Sequence, residues 1–293
     1  MERTKNIFSS VVIWIEDNIR EDICVNDIVY KSGYSKRNLQ YIFKKYLGYG
    51  IYTYLKSRRL SLAAKLLKIT RIPIIEICNI YHFGSYQSFN RAFTVKFCIS
   101  PARYRRSPHW LLSRYTGNAA LERPKMISRP VLLPRLEIFT INKEFKISFP
   151  DGSYNSRMDG DNTPEIKKYA RTLVLRNKHK NKLMLAYAFN VNDKSSITLN
   201  INVLEVKHQR SHASSQRQII EAGMYYHFHY EGSWEEYYSL SDYIYLNELP
   251  RLHMNKRNSY DLEVFDISAM RGDTNVIVDF YVAIVPDSNF VQE

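Results

Sequence analysis

Cysteine is scarce in this 293-residue chain, and what there is does not pair: Cys24, Cys78 and Cys98 stand far apart, with no CxxC among them. All three fall where apolar residues recur at helical spacing, which predicts buried thiols of a reducing compartment and argues against a disulfide framework or a zinc site. Long apolar runs are missing as well. None approaches the roughly 20 residues that cross a bilayer, and residues 1–10 lack the basic-then-apolar order of a secretion signal. The expectation is a cytoplasmic, nucleoid-associated protein with no membrane partner. There is no GxSxG elbow, Walker loop or GxGxxG turn, so serine-nucleophile chemistry and a nucleotide cofactor both go unsupported. No enzyme, cofactor or metal is expected. His227 and His229, two apart on an expected strand, share one face, but no third ligand at a telling spacing accompanies them.

What the chain does have is positive charge, unevenly placed. Of the net +13, residues 1–110 hold +12, with 19 Lys and Arg against 7 Asp and Glu. Residues 111–293 are near neutral, and 220–293 run to −9, with 4 basic and 13 acidic residues. A basic unit joined to a neutral one suggests that the first part meets a polyanion and the second does something else. A solvated basic face alone would give the same charge, so the pattern has to decide.

Residues 7–20 put Ile7, Val11, Val12, Trp14, Ile15 and Ile19 at helical spacing. Asn26 is the expected N-cap of a short second helix that stops at Ser32-Gly33, and Ser35 caps a third, Lys36 to Leu47. With Leu39, Ile42, Phe43 and Leu47 inward, Lys36, Arg37, Gln40, Tyr41 and Lys44 are left outward. This is the helix-turn-helix arrangement. It returns fifty residues later: a short helix after Pro73, a turn through His82-Phe83-Gly84-Ser85, and a helix in which Phe89, Phe93 and Phe97 replace Leu39, Phe43 and Leu47. Its outward residues are Tyr86, Gln87, Ser88 and Arg91. Residues 51–69 read as one long helix between the units, with Lys56, Arg58, Arg59 and Lys65 off its apolar side. If that rod holds the two helices roughly 34 Å apart, both enter neighbouring major-groove segments on one face of the duplex.

Residues 111–134, with Pro124, Pro130 and Pro134, read as a loose linker. Beyond it strands are predicted at 135–142, 183–190, 197–206, 224–230, 260–267 and 276–284, and helices at 164–176 and 233–247. The expected architecture is therefore an all-α domain (1–110) with two helix-turn-helix units joined by a long helix, a linker (111–134) and an α+β domain (135–293).

The run WIEDNI, then SGYSKRNLQYIFKK, YLKSRRLSLAAKLL, SFNRAF and SPARYR resembles the AraC/XylS regulators, most closely their MarA/SoxS/Rob branch, over residues 8–106. The resemblance implies monomeric binding to double-stranded promoter DNA, one helix of each unit in the major groove, and activation through RNA polymerase. Carried over by position, the base-facing residues are Arg37, Gln40 and Tyr41 in the first unit and Tyr86, Gln87, Ser88 and Arg91 in the second, with Lys36 and Lys44 on phosphates. The family usually has Trp at position 37 and Arg at 41, so the first unit's base preference should differ. His82 stands where the family has a turn glycine, and Gly84 is expected to relieve it.

In the second half, AGMYYHFHYEGSWEEYY (222–238), IYLNELP, DLEVFD and VDFYVAIVP resemble the GyrI-like domain. That implies a mixed sheet with two main helices and an aromatic cavity for amphipathic or cationic small molecules. Glu263 matches the acidic residue of such cavities, and Tyr225, Trp234 and Tyr281 are the aromatic candidates, where charge and cation–π attraction would act together. The same aromatics serve as well as plain core. Hydrolysis through that glutamate, a protein-interaction module without ligand, and a nonspecific nucleoid protein remain alternatives. The last explains the charge but not two repeated recognition helices.

Overall fold

In the first hundred residues, apolar periodicity and capping chemistry between them place each helix. In the computed structural model, which describes residues 2–148, 163–190, 196–204 and 216–287, the N-terminal half is α1 (Glu2–Asp17), α2 (Val25–Ser32), α3 (Lys36–Leu47), α4 (Ile51–Ile69), α5 (Ile74–Ile80), α6 (Tyr86–Phe97) and α7 (Pro101–Arg106). Ser35 and Ser85 accept the backbone N–H of Asn38 and Ser88 at the starts of α3 and α6, satisfying one orphan donor each. Gly33, at φ 71°, ends α2 in the left-handed region that the inter-helix turn demands.

The expectations for the α2 cap and for the cysteines need correction. The N-cap of α2 is Cys24 rather than Asn26: Asp27 reaches back to accept the Cys24 N–H at 2.7 Å, which fixes the start two residues earlier. Only Cys78 is buried; Cys24 and Cys98 sit at helix ends, outside the apolar stripes, and are exposed.

The long α4 serves both units. Its first part, Ile51, Tyr54 and Leu55, packs with α1 and α3, and its second part, from Leu60 to Ile69, packs with Ile77, Phe89, Phe93 and Phe97. Arg58 and Arg59, expected on its polar side, are buried. Arg58 forms an ion pair with Glu16 at 2.6 Å and donates to the Thr116 carbonyl. Arg59 donates to the carbonyls of Ile19, Glu21 and Ile23, which tie the end of α1 to the start of α2. These cations hold the chain together and are spent before any DNA arrives.

The second half contains β1 (Met126–Leu133), β2 (Leu136–Ser148), α8 (Thr163–Arg176), β3 (Lys182–Asn190), β4 (Ser196–Leu204), β5 (Gln216–Ile220), β6 (Gly223–Ser233), α9 (Trp234–Tyr243), β7 (Met254–Lys256), β8 (Asp261–Asp266) and β9 (Asn275–Pro286). The strands lie in the order β1-β6-β9-β8-β3-β4-β2-β5, with β7 on β9. Two residues of the strand expected at 197–206 fall outside the described residues. Every described pairing is antiparallel, which corrects the expectation of a mixed sheet. The reason lies in the order. Helix α8 joins β2 to β3, which run the same way but have β4 between them, and α9 leads from β6 towards β8, with β9 between. Two split β-α-β units thus build the sheet without one parallel ladder. Both helices cover the same face, where Ile166, Ala170 and Val174 of α8 and Trp234, Tyr237 and Leu240 of α9 join Phe228, Phe265 and Phe280 in one core.

The stretch 111–134, expected to be loose, is tied down. Trp110 and Lys256 exchange two backbone hydrogen bonds, Leu112 and Tyr115 are buried, and β1 forms the sheet edge beside β6. An edge tolerates Pro130, because one side of the strand needs no ladder donor.

Candidate DNA-binding surface and C-terminal cation cage

Helices α3 and α6 bury Leu39, Ile42 and Phe43 and Phe89, Phe93 and Phe97 respectively, so their opposite sides are fixed outward. Lys36, Arg37, Tyr41 and Lys44 on α3, and Tyr86, Gln87, Ser88 and Arg91 on α6, are exposed. Tyr41 keeps 62% of its surface in solvent. Among the described residues none pairs ionically with Lys36, Arg37, Lys44 or Arg91. Gln40 departs from the expected row. It is half-buried, and its amide lies where a side chain at Gly50 would be, so glycine at the N-cap of α4 makes its room. In the turn before α6, His82 and Gly84 both take positive φ, 54° and 70°. Gly84 therefore does not relieve His82, whose ring instead hydrogen-bonds the Arg20 carbonyl at 2.6 Å and steadies the strained position.

Glu263 is buried on β8, under α8 and α9. Cross-strand neighbours share a face, and Glu263 stands opposite Leu185 and Phe280. The hydroxyls of Tyr187 and Tyr237 each donate to Glu263 Oε2 at 2.6 Å, and Lys167 of α8 pairs with Oε1. The Lys167 ammonium lies over the rings of Tyr237 (4.6 Å), Phe280 (5.1 Å) and Tyr187 (5.5 Å). Burial, then the Glu263 charge, pushes the Tyr187 and Tyr237 hydroxyls well above the ordinary tyrosine range, so both remain donors.

Of the aromatic candidates, Trp234 borders this cage, edge-on to Tyr237 at 5.3 Å. Tyr225 and Tyr281 do not join it. Tyr281 stands opposite Leu262 and His227, one residue out of phase with Glu263, and Tyr225 packs with Leu262 and Ala283 on the other face. Tyr225 there receives the Arg257 guanidinium at 4.8 Å. His227 and His229 share that other face and converge on one oxygen, Asp279 Oδ1, at 2.8 Å each. Burial would raise the Asp279 carboxyl, but those two hydrogen bonds outweigh it and hold it below the usual range. The sequence reading missed Tyr187, Tyr237, Phe280 and Lys167. Lys167 did carry a signal, a cation directly beside the Ile166-Ala170-Val174 stripe of α8.

Comparison with known proteins meets this geometry. Residues 28–107 match a helix-turn-helix domain and residues 134–285 a GyrI-like small molecule binding domain. The transcriptional activator AarP of Providencia stuartii is 39% identical over 102 residues, 35% of this chain and 76% of that protein. The chain belongs to the AraC family. This AraC-family regulator is also 29% identical to the F1 operon positive regulatory protein of Yersinia pestis over 281 residues, 95% of this chain and 88% of that one. Its match to the right origin-binding protein of Escherichia coli is 41% over 104 residues and spans 36% of each. It is a DNA-binding transcription regulator with a GyrI-like C-terminal domain. No described helix is long and apolar enough to cross a membrane.

The two halves of this AraC-family regulator are joined through residues 113–123. Thr116 accepts Arg58 at its carbonyl, donates its N–H to Ser61 and receives Lys96 on its hydroxyl. Ser113 bonds Asn255 and Asp287, Asn118 and Asn247 exchange two hydrogen bonds, and Arg123 pairs with Glu248.

Proposed function

We propose that this chain binds promoter DNA as a monomer, with α3 and α6 in adjacent major-groove segments, and activates transcription from the cytoplasmic nucleoid through contact with RNA polymerase. The observation that carries the reading is two exposed rows, fifty residues apart in sequence and on helices packed against the one long α4, whose cations have no ionic partner among the described residues. Arg37 and Tyr41 in the first unit and Tyr86, Gln87, Ser88 and Arg91 in the second face base edges, and Lys36 and Lys44 meet phosphates. Gln40 contributes less than its position suggests, since its side chain is half-buried and lies over Gly50.

Residues 1–110 are the DNA-reading part, 135–293 the sensing part, and 111–134 the segment that couples them. The sensing part takes an amphipathic or cationic small molecule. What speaks for binding over turnover is Glu263, whose two oxygens are engaged by Lys167, Tyr187 and Tyr237 and leave no free base. Hydroxyl-radical footprinting on a bound promoter tests the central claim. Two protected segments about one helical turn apart on one face are expected, and protection of a single segment overturns it.

A further inference from the structure

Lys167 does more in its cage than a buried ion pair requires. The carboxylate is pinned by two tyrosine hydroxyls, and three aromatic faces surround the ammonium at 4.6–5.5 Å. Charge at one end and rings around the sides recognise a cation whatever chain carries it. Here the cation belongs to the protein. A buried pair is often no more stable than apolar residues of the same volume, so stability alone does not account for a lysine in this place. The next turn of α8 repeats the theme at the rim, where Arg171 lies over Trp234 at 5.7 Å.

We propose that Lys167 is a tethered occupant of a cation-binding cage, so that the C-terminal domain as seen here is closed to external organic cations, which enter only in exchange for the Lys167 ammonium. The inference deepens the reading of this domain as the sensing half and rests on it. The signal is then the departure of Lys167 from Glu263, which changes how α8 sits on the sheet, and specificity is set by competition with a lysine held at high local concentration. A ligand must offer more aromatic contact than a lysine stem does.

The full-length chain carrying Lys167→Ala tests this. It leaves Glu263 unpaired beside a hole the shape of a propylammonium ion. The variant's Tm should fall by roughly 10 °C and be restored by millimolar propylammonium chloride but not by propanol, while the wild type responds to neither. Adding Glu263→Gln to Lys167→Ala should abolish the rescue. A wild type that shifts as much as the variant, or a folded variant that ignores propylammonium, overturns the proposal. Should Lys167→Ala fail to fold, acetylation of the wild type decides: Lys167 should be protected and become reactive on titration with tetramethylammonium, whereas continued protection at saturation overturns the exchange. Rescue with promoter affinity unchanged in every state would leave the cage standing and remove the sensing role.

Discussion

Basic side chains on the two recognition helices and in the interior of the C-terminal domain are put to opposite uses. On α3 and α6, Lys36, Arg37, Lys44 and Arg91 are exposed, with no ionic partner among the described residues. In the C-terminal half, Lys167 and Lys256 are almost wholly buried and paired, with Glu263 and Asp261. Net charge per half is therefore a poor guide to where cations act. The +12 of residues 1–110 includes Arg58 and Arg59, which are bound to internal partners no less than Lys167 is. What distinguishes a DNA-reading cation is availability, and availability follows from which side of a helix the core claims.

The largest effect should come from breaking a buried pair. Lys256→Met leaves Asp261 buried with, among the described residues, only the Tyr245 hydroxyl and the Ala283 N–H for company; denaturant unfolding should show a loss of about 3–5 kcal/mol. A loss below about 1 kcal/mol would erase the contrast. Arg91→Ala should leave stability alone yet reduce the preference for a cognate promoter over random DNA by about 1–3 kcal/mol, read by competition binding. Equal losses on both DNAs would make Arg91 a phosphate contact. Lys44→Ala should weaken binding to all sequences slightly and make the salt slope shallower by about one; an unchanged slope removes Lys44 from the DNA surface.

Lys68 and Lys96 lie between the two classes, half-buried, and burial holds their ammonium groups down at about 8. In the unfolded chain they titrate near about 10.4. Between those values the unfolded state binds more protons at these two sites, so stability should rise from about pH 8 towards pH 9. Above that, tyrosines such as Tyr104, pushed up by burial, ionise only in the unfolded chain and stability falls. Urea midpoints at pH 7.5, 9 and 10 check this, and Lys68→Met with Lys96→Met should flatten the rise.

Much of this was legible in the residues. Helical periods and caps located α3 to α6, because serine caps and left-handed glycines act locally and depend little on the rest of the fold. The strands at 183–190, 224–230 and 276–284 were legible from a different local signal, their runs of β-branched and aromatic residues. The face of each strand was not: Tyr281 and Phe280 are adjacent and equally aromatic, and only the pairing with β8, set by the whole sheet, puts Phe280 beside Glu263. Strand β1 was read as linker because Pro130 and the flanking Pro124 and Pro134 look like breakers until the strand is known to lie at an edge. Arg58 and Arg59 looked like surface because their partners, Glu16, Thr116 and the carbonyls after α1, lie far away in sequence.

The fastening around Thr116 has one more consequence. A segment whose N–H, carbonyl and hydroxyl are all engaged by the helical half, within a stretch that also grips the strand-rich half, has no slack to give a protease. Heating should reveal one calorimetric transition rather than two, because neither half can come apart without tearing the seam from the other.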